Sequence, residues 1–231
     1  MAASRRRVNQ LLREYASTAL FLLLMVGFRS AWADWVTVPT GSMNPTIIEG
    51  DRVLVDKHVF GLRVPFTLIH LTAGENPARG EIVVFDSPAD GISLVKRVIA
   101  VPGDTVQMVN ERLIVNGRPA QYSTADTAPL QGLLSTTRAE RPVLVREAGY
   151  GPEHDILLMP ERPARRFIAA TVVPVGAYFV LGDNRDNSGD SRYFGFVPRR
   201  NIVGRATRVV VSLNPEKHYL PRGDRVLKPL T

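Results

Sequence analysis

Short runs of β-branched residues, separated by turn residues, make up most of the chain after residue 35. The turn signals include Gly-Asp at 50–51, Pro-Gly-Asp at 102–104 and Asn-Gly at 116–117, which are typical of tight connections between strands. The pattern predicts strands at 52–55, 81–85, 92–101, 105–109, 112–115, 177–181 and 202–212. Helical periodicity is nearly absent here, so we expect a mostly β fold with antiparallel sheet in a sandwich or barrel-like body.

The pattern loosens between residues 118 and 170, where proline, threonine and glutamine become frequent and the predicted strands are weak. A chain of 231 residues is long enough for one sizeable core. We therefore predict one β domain formed by 36–117 and 171–231, interrupted by an inserted lobe at 118–170.

The N-terminus separates charge from hydrophobicity: four arginines among the first 13 residues precede an apolar run at 16–28. A bilayer-spanning helix needs roughly 20 apolar residues. The run approaches that length if Arg29 snorkels to the interface and the segment continues to Trp35, since tryptophan prefers that depth. We predict a cytoplasmic basic tail at 1–15 and a transmembrane anchor at 16–35, with the rest of the chain outside.

Two alternatives for this segment stay open. A basic region, an apolar stretch and an A-x-A sequence also describe a cleavable secretory signal, and Ala31-Trp32-Ala33 fits the last element. The charged Arg29 between the apolar run and that sequence argues against it. A buried helix of a soluble protein is the other alternative. A membrane anchor and a cleavable signal would both export the body of the protein, whereas a buried helix would not.

Composition excludes several kinds of chemistry. The chain has no cysteine, so a disulfide framework and a thiol nucleophile are excluded. The net charge of +7 indicates a polyanionic partner, either nucleic acid or anionic lipid. No nucleic-acid-binding motif accompanies the charge, and the basic residues at the N-terminus precede an apolar run. We therefore predict a lipid surface and no nucleic acid.

Ser42 is a candidate nucleophile, because it follows Gly41 and precedes a Met-Asn-Pro turn. A serine hydroxyl needs a neighbouring base. The four histidines lie in segments without an acid or turn motif that would orient an imidazole. The G-x-S-x-G elbow is also absent, since Asn44 stands at its second glycine. A Ser-His-Asp arrangement is possible but has no sequence support.

Lys96 is a candidate base, because it lies within the apolar stretch 91–104. In a strand it would share one face with Leu94 and Val98, and desolvation there would lower the pKa of its amine toward the range of a general base. Arg97 would point to the opposite face and stays charged, so it could not act as a base. The alternative is an ordinary strand lysine whose tip reaches water.

The polar stretch 182–192 suggests a calcium loop at first sight. An EF-hand loop that began at Asp183 or Asp186 would end in Phe194 or Val197 instead of the closing glutamate. We therefore predict no metal.

The remaining interpretation is a hydrogen-bonded loop that orients other groups. Ser188 and Ser191 could bond a neutral amine. The carboxylates of this loop could pair with nearby arginines, namely Asp186 and Asp190 with Arg97, Arg185 or Arg192.

Four motifs in this order resemble those of the bacterial type I signal peptidases, also called leader peptidases. They are VPTGSMNPT at 38–46, GDRVLVDK at 50–57, KRVIAVPGD at 96–104 and GDNRDNSGDSR at 182–192, and GFVPRRNIVGRA at 195–206 also matches that layout. The resemblance implies a membrane-bound serine endopeptidase that removes signal peptides after small residues (Ala-x-Ala) through an acyl-enzyme, with a Ser–Lys dyad and no cofactor. It also implies preprotein substrates and a single-pass monomer in the bacterial inner membrane, with an extracytoplasmic catalytic domain.

The resemblance also implies a role for each matching residue. Ser42 would be the nucleophile, Lys96 the general base, and Ser188 the serine that orients the lysine. The oxyanion hole would comprise the Ser42 N–H and the Thr40 hydroxyl, at a position where serine is commoner. Supporting and substrate-pocket positions are, respectively, Asp183 and Arg192, and Val38, Met43, Ile47 and Val95.

Other functions remain open at this stage. A related Ser–Lys processing peptidase of conjugation or pilus systems would use the same dyad. A self-cleaving repressor would need a DNA-binding helical domain, for which the sequence shows no pattern. A membrane-anchored β domain that binds peptides without cutting them would use the same groove.

Overall fold

The structure is a computed structural model, which describes residues 33–61, 71–72, 74–125 and 142–230 together with five positions between 15 and 21. Antiparallel strands dominate these residues. In chain order they are β1 (Ala33–Thr37), β2 (Asp51–Asp56), β3 (Ile82–Asp86), β4 (Ser93–Ala100), β5 (Thr105–Val109), β6 (Arg112–Val115), β7 (Arg118–Pro119), β8 (Gln121–Thr124), β9 (Val143–Ala148), β10 (His154–Leu158), β11 (Phe167–Val172), β12 (Ala177–Leu181), β13 (Val197–Pro198), β14 (Ile202–Asn214) and β15 (Leu220–Pro221). One α-helical turn, Ser191–Phe194, follows the polar stretch 182–190.

The largest sheet has the strand order β1-β2-β14-β3-β4-β12-β13, with β15 paired to β14. Its pairs are antiparallel, and β14 lies between β2 and β3. The sheet therefore takes its strands from both sides of the predicted lobe. Two smaller sheets, β11-β5-β6-β7 and β10-β9-β8, contain the strands of residues 105–172.

The core forms on both faces of the large sheet. In β3, Ile82 and Val84 belong to one buried cluster, while Val83 and Phe85 belong to another. This alternation is what a strand with two covered faces requires. A third cluster, which includes Met108 and Phe179, connects the large sheet to the sheet of β5 and β6.

The strands predicted from the pattern are confirmed to within two residues at their ends, and the mostly β, antiparallel fold class is confirmed with them. Residues 118–170, where the pattern was weak, also form strands. Residues 105–115 leave the large sheet and pair with each other and with β11, across the predicted boundary of the lobe. The division into domains stays a prediction.

The N-terminal anchor predicted at 16–35 lies mostly outside the described residues. Its last three residues belong to β1, because Ala33–Thr37 pairs in register with β2. The described positions between 15 and 21 are helical. Among the residues that the structure describes, no helix is long and apolar enough to cross a bilayer.

Candidate active site

Ser42 lies on a short 3-10 turn, Gly41–Met43, that follows the extended residue Thr40. The first N–H groups of such a turn have no acceptor within it. The Thr40 side chain does not cap the turn, and it is exposed, whereas Ser42 is half-buried. The Ser42 N–H therefore has no acceptor within the turn itself.

Lys96 lies in β4, and its residue is only 2% exposed. Its Nζ lies 2.8 Å from Ser42 Oγ, and it also donates to the Val95 carbonyl oxygen at 2.8 Å. The expected alternation along β4 is present, since Leu94 and Val98 pack in one cluster and Val95 in another. The sequence placed Ser42 and Lys96 54 positions apart, and the fold brings them into hydrogen-bond contact.

Burial changes the acid–base behaviour of Lys96. Desolvation lowers the pKa of its amine to about 8, and the negative charges of Asp190 and Asp183 oppose this shift without cancelling it. Desolvation acts in this direction because a low-dielectric site disfavours the charged form. A neutral amine can accept a proton, so Lys96 has the properties of a base that operates near neutral pH.

Asp183 connects three parts of the chain. Arg97, on the strand face opposite to Lys96, donates to both carboxylate oxygens at 2.9 and 2.8 Å, and the Thr46 hydroxyl donates to Oδ2 at 2.5 Å. Burial alone would raise the pKa of Asp183, but the Arg97 charge and these hydrogen bonds lower it overall. Asp183 thus remains ionised in a dry site and holds the segment after Ser42 against β4.

Arg192 pairs with Asp190 inside the polar stretch 182–192, called the polar loop from here on. Its Nε and Nη2 donate to the two carboxylate oxygens at 2.8 Å each, and both side chains are buried. Asp190 also caps the helical turn Ser191–Phe194 and accepts from the Gly182 N–H at 3.1 Å. The loop carboxylates are therefore engaged by arginine and backbone donors. In the described part of the chain, no group of three acidic or histidine side chains could hold a metal ion.

Ser188 lies next to the nucleophile but does not make the hydrogen bond expected from the sequence. A Cβ placed on Gly182 would meet Ser188 Oγ at 2.3 Å and the Ser42 carbonyl oxygen at 2.4 Å, so all three residues are in close contact. Ser188 Oγ is buried and has no hydrogen-bond partner among the described residues. Lys96 donates to Ser42 and Val95 instead. The role of Ser188 in orienting Lys96 stays a prediction.

The four residues expected to line a substrate pocket are brought together. Val38, Met43, Ile47 and Val95 all belong to the buried cluster behind the nucleophile turn. Met43 and Ile47 are fully buried, and Val38 and Val95 are slightly exposed. Their contacts are those of a packed core, and their role as pocket walls stays a prediction.

Three contacts around the site were not predicted from the sequence. Asn184 donates to the nucleophile turn, and Thr46 binds Asp183. Both lie inside the quoted motifs, so the motifs mark the right segments without revealing which residues they meet. The contact of Arg185 with Glu147, in the predicted lobe, had no signal in the sequence at all.

His154 is a buried side chain whose ring contacts carboxylates rather than the nucleophile. Its Nε2 lies 3.5 Å from Glu147 and 4.0 Å from Asp183, whereas the group bonded to Ser42 Oγ is the Lys96 amine. A hydroxyl in hydrogen-bond contact with a buried amine of lowered pKa, on a mostly β fold, is the arrangement expected of a hydrolase with a serine nucleophile.

Several known proteins are similar to this chain. Residues 12–211 match the family described as signal peptidase, peptidase S26. A signal peptidase I of Pseudomonas aeruginosa is 36% identical over 94% of this chain and 78% of its own length. That of Aquifex aeolicus is 34% identical over 91% of this chain and 95% of its own length. A signal peptidase I of Enterococcus faecalis with a crystal structure is 34% identical, covers 58% of this chain and 98% of its own, and has a TM-score of 0.35.

The chain belongs to the signal peptidase family, peptidase S26. It is a serine hydrolase of the peptidase class.

Proposed function

We propose that this protein is a membrane-bound serine endopeptidase that cleaves N-terminal signal peptides from exported preproteins after small residues. Ser42 is the nucleophile and Lys96 is the general base. The observation that carries this proposal is the 2.8 Å contact between Lys96 Nζ and Ser42 Oγ in a site where Lys96 is buried. A charged lysine could not remove a proton, so burial and contact together supply the chemistry.

In the acylation step, neutral Lys96 accepts the proton of Ser42 as Oγ attacks the scissile carbonyl carbon. The tetrahedral oxyanion then accepts hydrogen bonds from the Ser42 N–H and the Thr40 hydroxyl. One such donor is typically worth about 2.7–4 kcal/mol in the transition state. The protonated Lys96 passes its proton to the leaving amine, and the C–N bond breaks.

In the deacylation step, Lys96 accepts a proton from water, which attacks the ester carbonyl carbon of the acyl-enzyme. The second tetrahedral intermediate collapses, Ser42 recovers its proton, and the signal peptide leaves with a new carboxylate. The 2.8 Å bond from Lys96 to the Val95 carbonyl keeps Nζ within reach of Ser42 through both steps.

The substrate binds as an extended strand whose alternate side chains enter shallow pockets. The walls of these pockets would be Val38, Met43, Ile47 and Val95, which are packed together in one buried cluster. Shallow pockets admit alanine and exclude large side chains, which agrees with Ala-x-Ala cleavage sites. Asp183 and Arg192 support the site through their ion pairs, without taking part in the chemistry.

The protein acts in the bacterial inner membrane as a single-pass monomer, with its catalytic domain on the extracytoplasmic side. The short connection from Trp35 in β1 to Ser42 supports this placement, since seven residues span at most about 25 Å. A membrane anchor directly before β1 would hold the nucleophile close to the lipid surface. Substrates anchored by their own apolar segments present cleavage sites there.

The test is cleavage of an Ala-x-Ala peptide in detergent by the full-length chain. Ser42→Ala and Lys96→Arg are expected to lower kcat/KM by at least about 10³-fold. The first variant lacks the nucleophile, and in the second the guanidinium cannot act as a base. Lys217→Arg, at an exposed position, is the matched control and should keep full activity. Full activity in Lys96→Arg would exclude Lys96 as the base. A wild-type chain that binds the peptide but never hydrolyses it would indicate a peptide-binding domain.

A further inference from the structure

Asn184 contacts two consecutive carbonyl groups of the nucleophile turn. Its side-chain Nδ2 donates to the Gly41 carbonyl oxygen at 2.9 Å, and its backbone N–H donates to the Ser42 carbonyl oxygen at 3.1 Å. The residue is fully buried, with 0% of its surface exposed. Asn184 therefore contacts the turn without facing the solvent side, where a substrate would bind.

The Gly41 carbonyl and the Ser42 N–H belong to the same peptide group. That group is planar and, unlike the Asn44–Pro45 bond, trans, so its C=O and N–H bonds point in opposite directions. A donor that fixes the direction of the Gly41 carbonyl also fixes the direction of the Ser42 N–H. Because the Gly41 carbonyl points toward Asn184, the Ser42 N–H points away from Asn184.

We propose that Asn184 is a positioning residue that aims the Ser42 N–H at the oxyanion. The inference rests on the proposed function, because it assigns a role within that reaction. The Gly41 carbonyl has two lone pairs, and the second donor is the Asn44 N–H at 3.1 Å. The Asn44 donor follows directly on the same turn and moves with it. Asn184 comes from a separate segment, so its hydrogen bond fixes the carbonyl relative to the rest of the fold.

The cost of keeping asparagine at this position supports a role beyond stability. Its Oδ1 is buried with no hydrogen-bond partner among the described residues. A buried polar atom without a partner destabilises a fold by about 1–3 kcal/mol. An apolar side chain of similar size would remove that cost, so the contact made by Nδ2 explains the residue better than packing does.

The test compares Asn184→Leu and Asn184→Ala with the wild-type chain in detergent. Asn201→Leu is the matched control, because Asn201 Nδ2 also donates to a backbone carbonyl, that of Asp86, at 2.8 Å. Cleavage of the Ala-x-Ala peptide gives kcat, KM and the pH profile. A peptide boronic acid ending in alanine, which forms a B–O bond to Ser42 Oγ and places an oxygen in the oxyanion hole, gives the affinity of a tetrahedral adduct.

In both Asn184 variants, we expect kcat to fall about 10–100-fold, which is part of what losing an oxyanion donor outright costs. Boronate affinity should fall in parallel, while KM and the midpoint of the pH profile stay unchanged, because the Lys96–Ser42 contact is untouched. Asn201→Leu should match the wild type.

Several outcomes would overturn the proposal. A raised KM with unchanged kcat would place Asn184 in substrate binding, and a moved pH midpoint would mean that it acts through Lys96. Loss of folding in both variants would make Asn184 a residue of the fold only. Wild-type activity in both variants would contradict the role of Asn184 and leave the proposed function intact. A wild-type chain without peptidase activity would contradict the proposed function itself.

Discussion

At the scale of single residues, Lys96 shows how function and stability conflict. The amine is buried and contacts a hydroxyl and a carbonyl, and within the described residues no carboxylate is among its hydrogen-bond partners. Lowering the pKa of a lysine to about 8 means that folding the protonated form costs roughly 3 kcal/mol. The rest of the fold must offset that cost at neutral pH.

Replacing the buried amine in Lys96→Met should therefore have opposite effects on activity and on stability, and both effects should depend on pH. In the wild type, kcat/KM should rise with pH and level off above a midpoint near 8, because the neutral amine is the active form. Lys96→Met should be inactive but more stable at pH 7 by about 2–3 kcal/mol. This gain should shrink as pH rises from about 8 to 10.4, where the native lysine is neutral and the unfolded one is still losing its proton. Denaturant unfolding at several pH values checks it, and a gain independent of pH would contradict it.

Gly182 is the residue at which one added methyl group should disturb the site. Alanine there would bring Cβ within 2.4 Å of the Ser42 carbonyl oxygen, which is backbone and cannot rotate away. Displacing the nucleophile by a fraction of an ångström to 1 Å should lower kcat/KM about 10²-fold. Gly189→Ala, in the same loop with nothing within 4 Å of its Cβ, should retain wild-type rates. Equal activity of the two variants in peptide cleavage would contradict the prediction.

The sequence indicated the candidate nucleophile and base, together with Asp183 and Arg192 as supporting residues, but not the contacts through which the site is held. Ser42 and Lys96 could be predicted because a nucleophile needs a base and an apolar strand lowers the pKa of a lysine. The role proposed for Asn184 could not be predicted, because it depends on the direction of the peptide group between Gly41 and Ser42. The bond expected between Ser188 and Lys96 is replaced by one to the Val95 carbonyl, a choice made by rotamers that no sequence pattern encodes.

At the scale of elements, the hairpin of β9 and β10 supports the polar loop from behind. Arg185 Nη1 donates to Glu147 Oε1 at 2.7 Å in a pair whose side chains are almost fully buried. The backbone N–H groups of Leu157 and Met159 donate to the Asp183 carbonyl and to Asp186 Oδ2 at 2.8 and 2.7 Å. The hairpin lies within the predicted lobe, so the lobe contributes to the conformation of the polar loop.

Breaking the Glu147–Arg185 pair should destabilise the fold strongly. Glu147→Gln leaves Arg185 as a buried charge without its carboxylate, which should lower the free energy of unfolding by about 3–5 kcal/mol. Asp155→Asn is the matched control in the same hairpin, because the Arg146–Asp155 pair is exposed and worth less than about 1 kcal/mol. Chemical denaturation measures both, and similar losses in the two variants would show that burial does not decide the cost.

Burial alone did not make a strand predictable, since β10 is largely buried and was not predicted. Strands were predicted where an apolar or alternating run lies between clear turn signals. β3 and β12 are such strands. β8 and β11 were missed because most of their residues are exposed, so no apolar period marks them. The contacts of these strands come from pairing with partners that the local sequence does not reveal.

At the scale of the whole molecule, peptide cleavage should not depend on the residues before β1. The described contacts of Ser42, Lys96 and the polar loop come from residues after position 40. A variant lacking residues 1–32 should cleave the soluble peptide within about 3-fold of the wild-type kcat/KM, because it removes no bond of the described site. Its cleavage of preproteins in lipid vesicles should be much slower.

A second truncation separates anchoring from folding. Removing residues 1–37 also deletes β1 and leaves one edge of β2 without its partner. Its thermal midpoint should fall below that of the shorter truncation. Loss of peptide cleavage in the variant lacking only 1–32, to the level of Ser42→Ala, would contradict the expectation.

The position of β14 in the sheet has a consequence for how the protein is made. β2 and β3 emerge early in synthesis, but they do not pair with each other, because β14 occupies the place between them. Nascent chains leave the ribosome from the N-terminus, and contacts between distant segments form late. The sheet that holds Ser42 next to Lys96 is therefore complete only after β14, which ends at Asn214, has been translated. We expect a nascent chain to have no peptidase activity before that point, so that it does not cut neighbouring chains while it is being made.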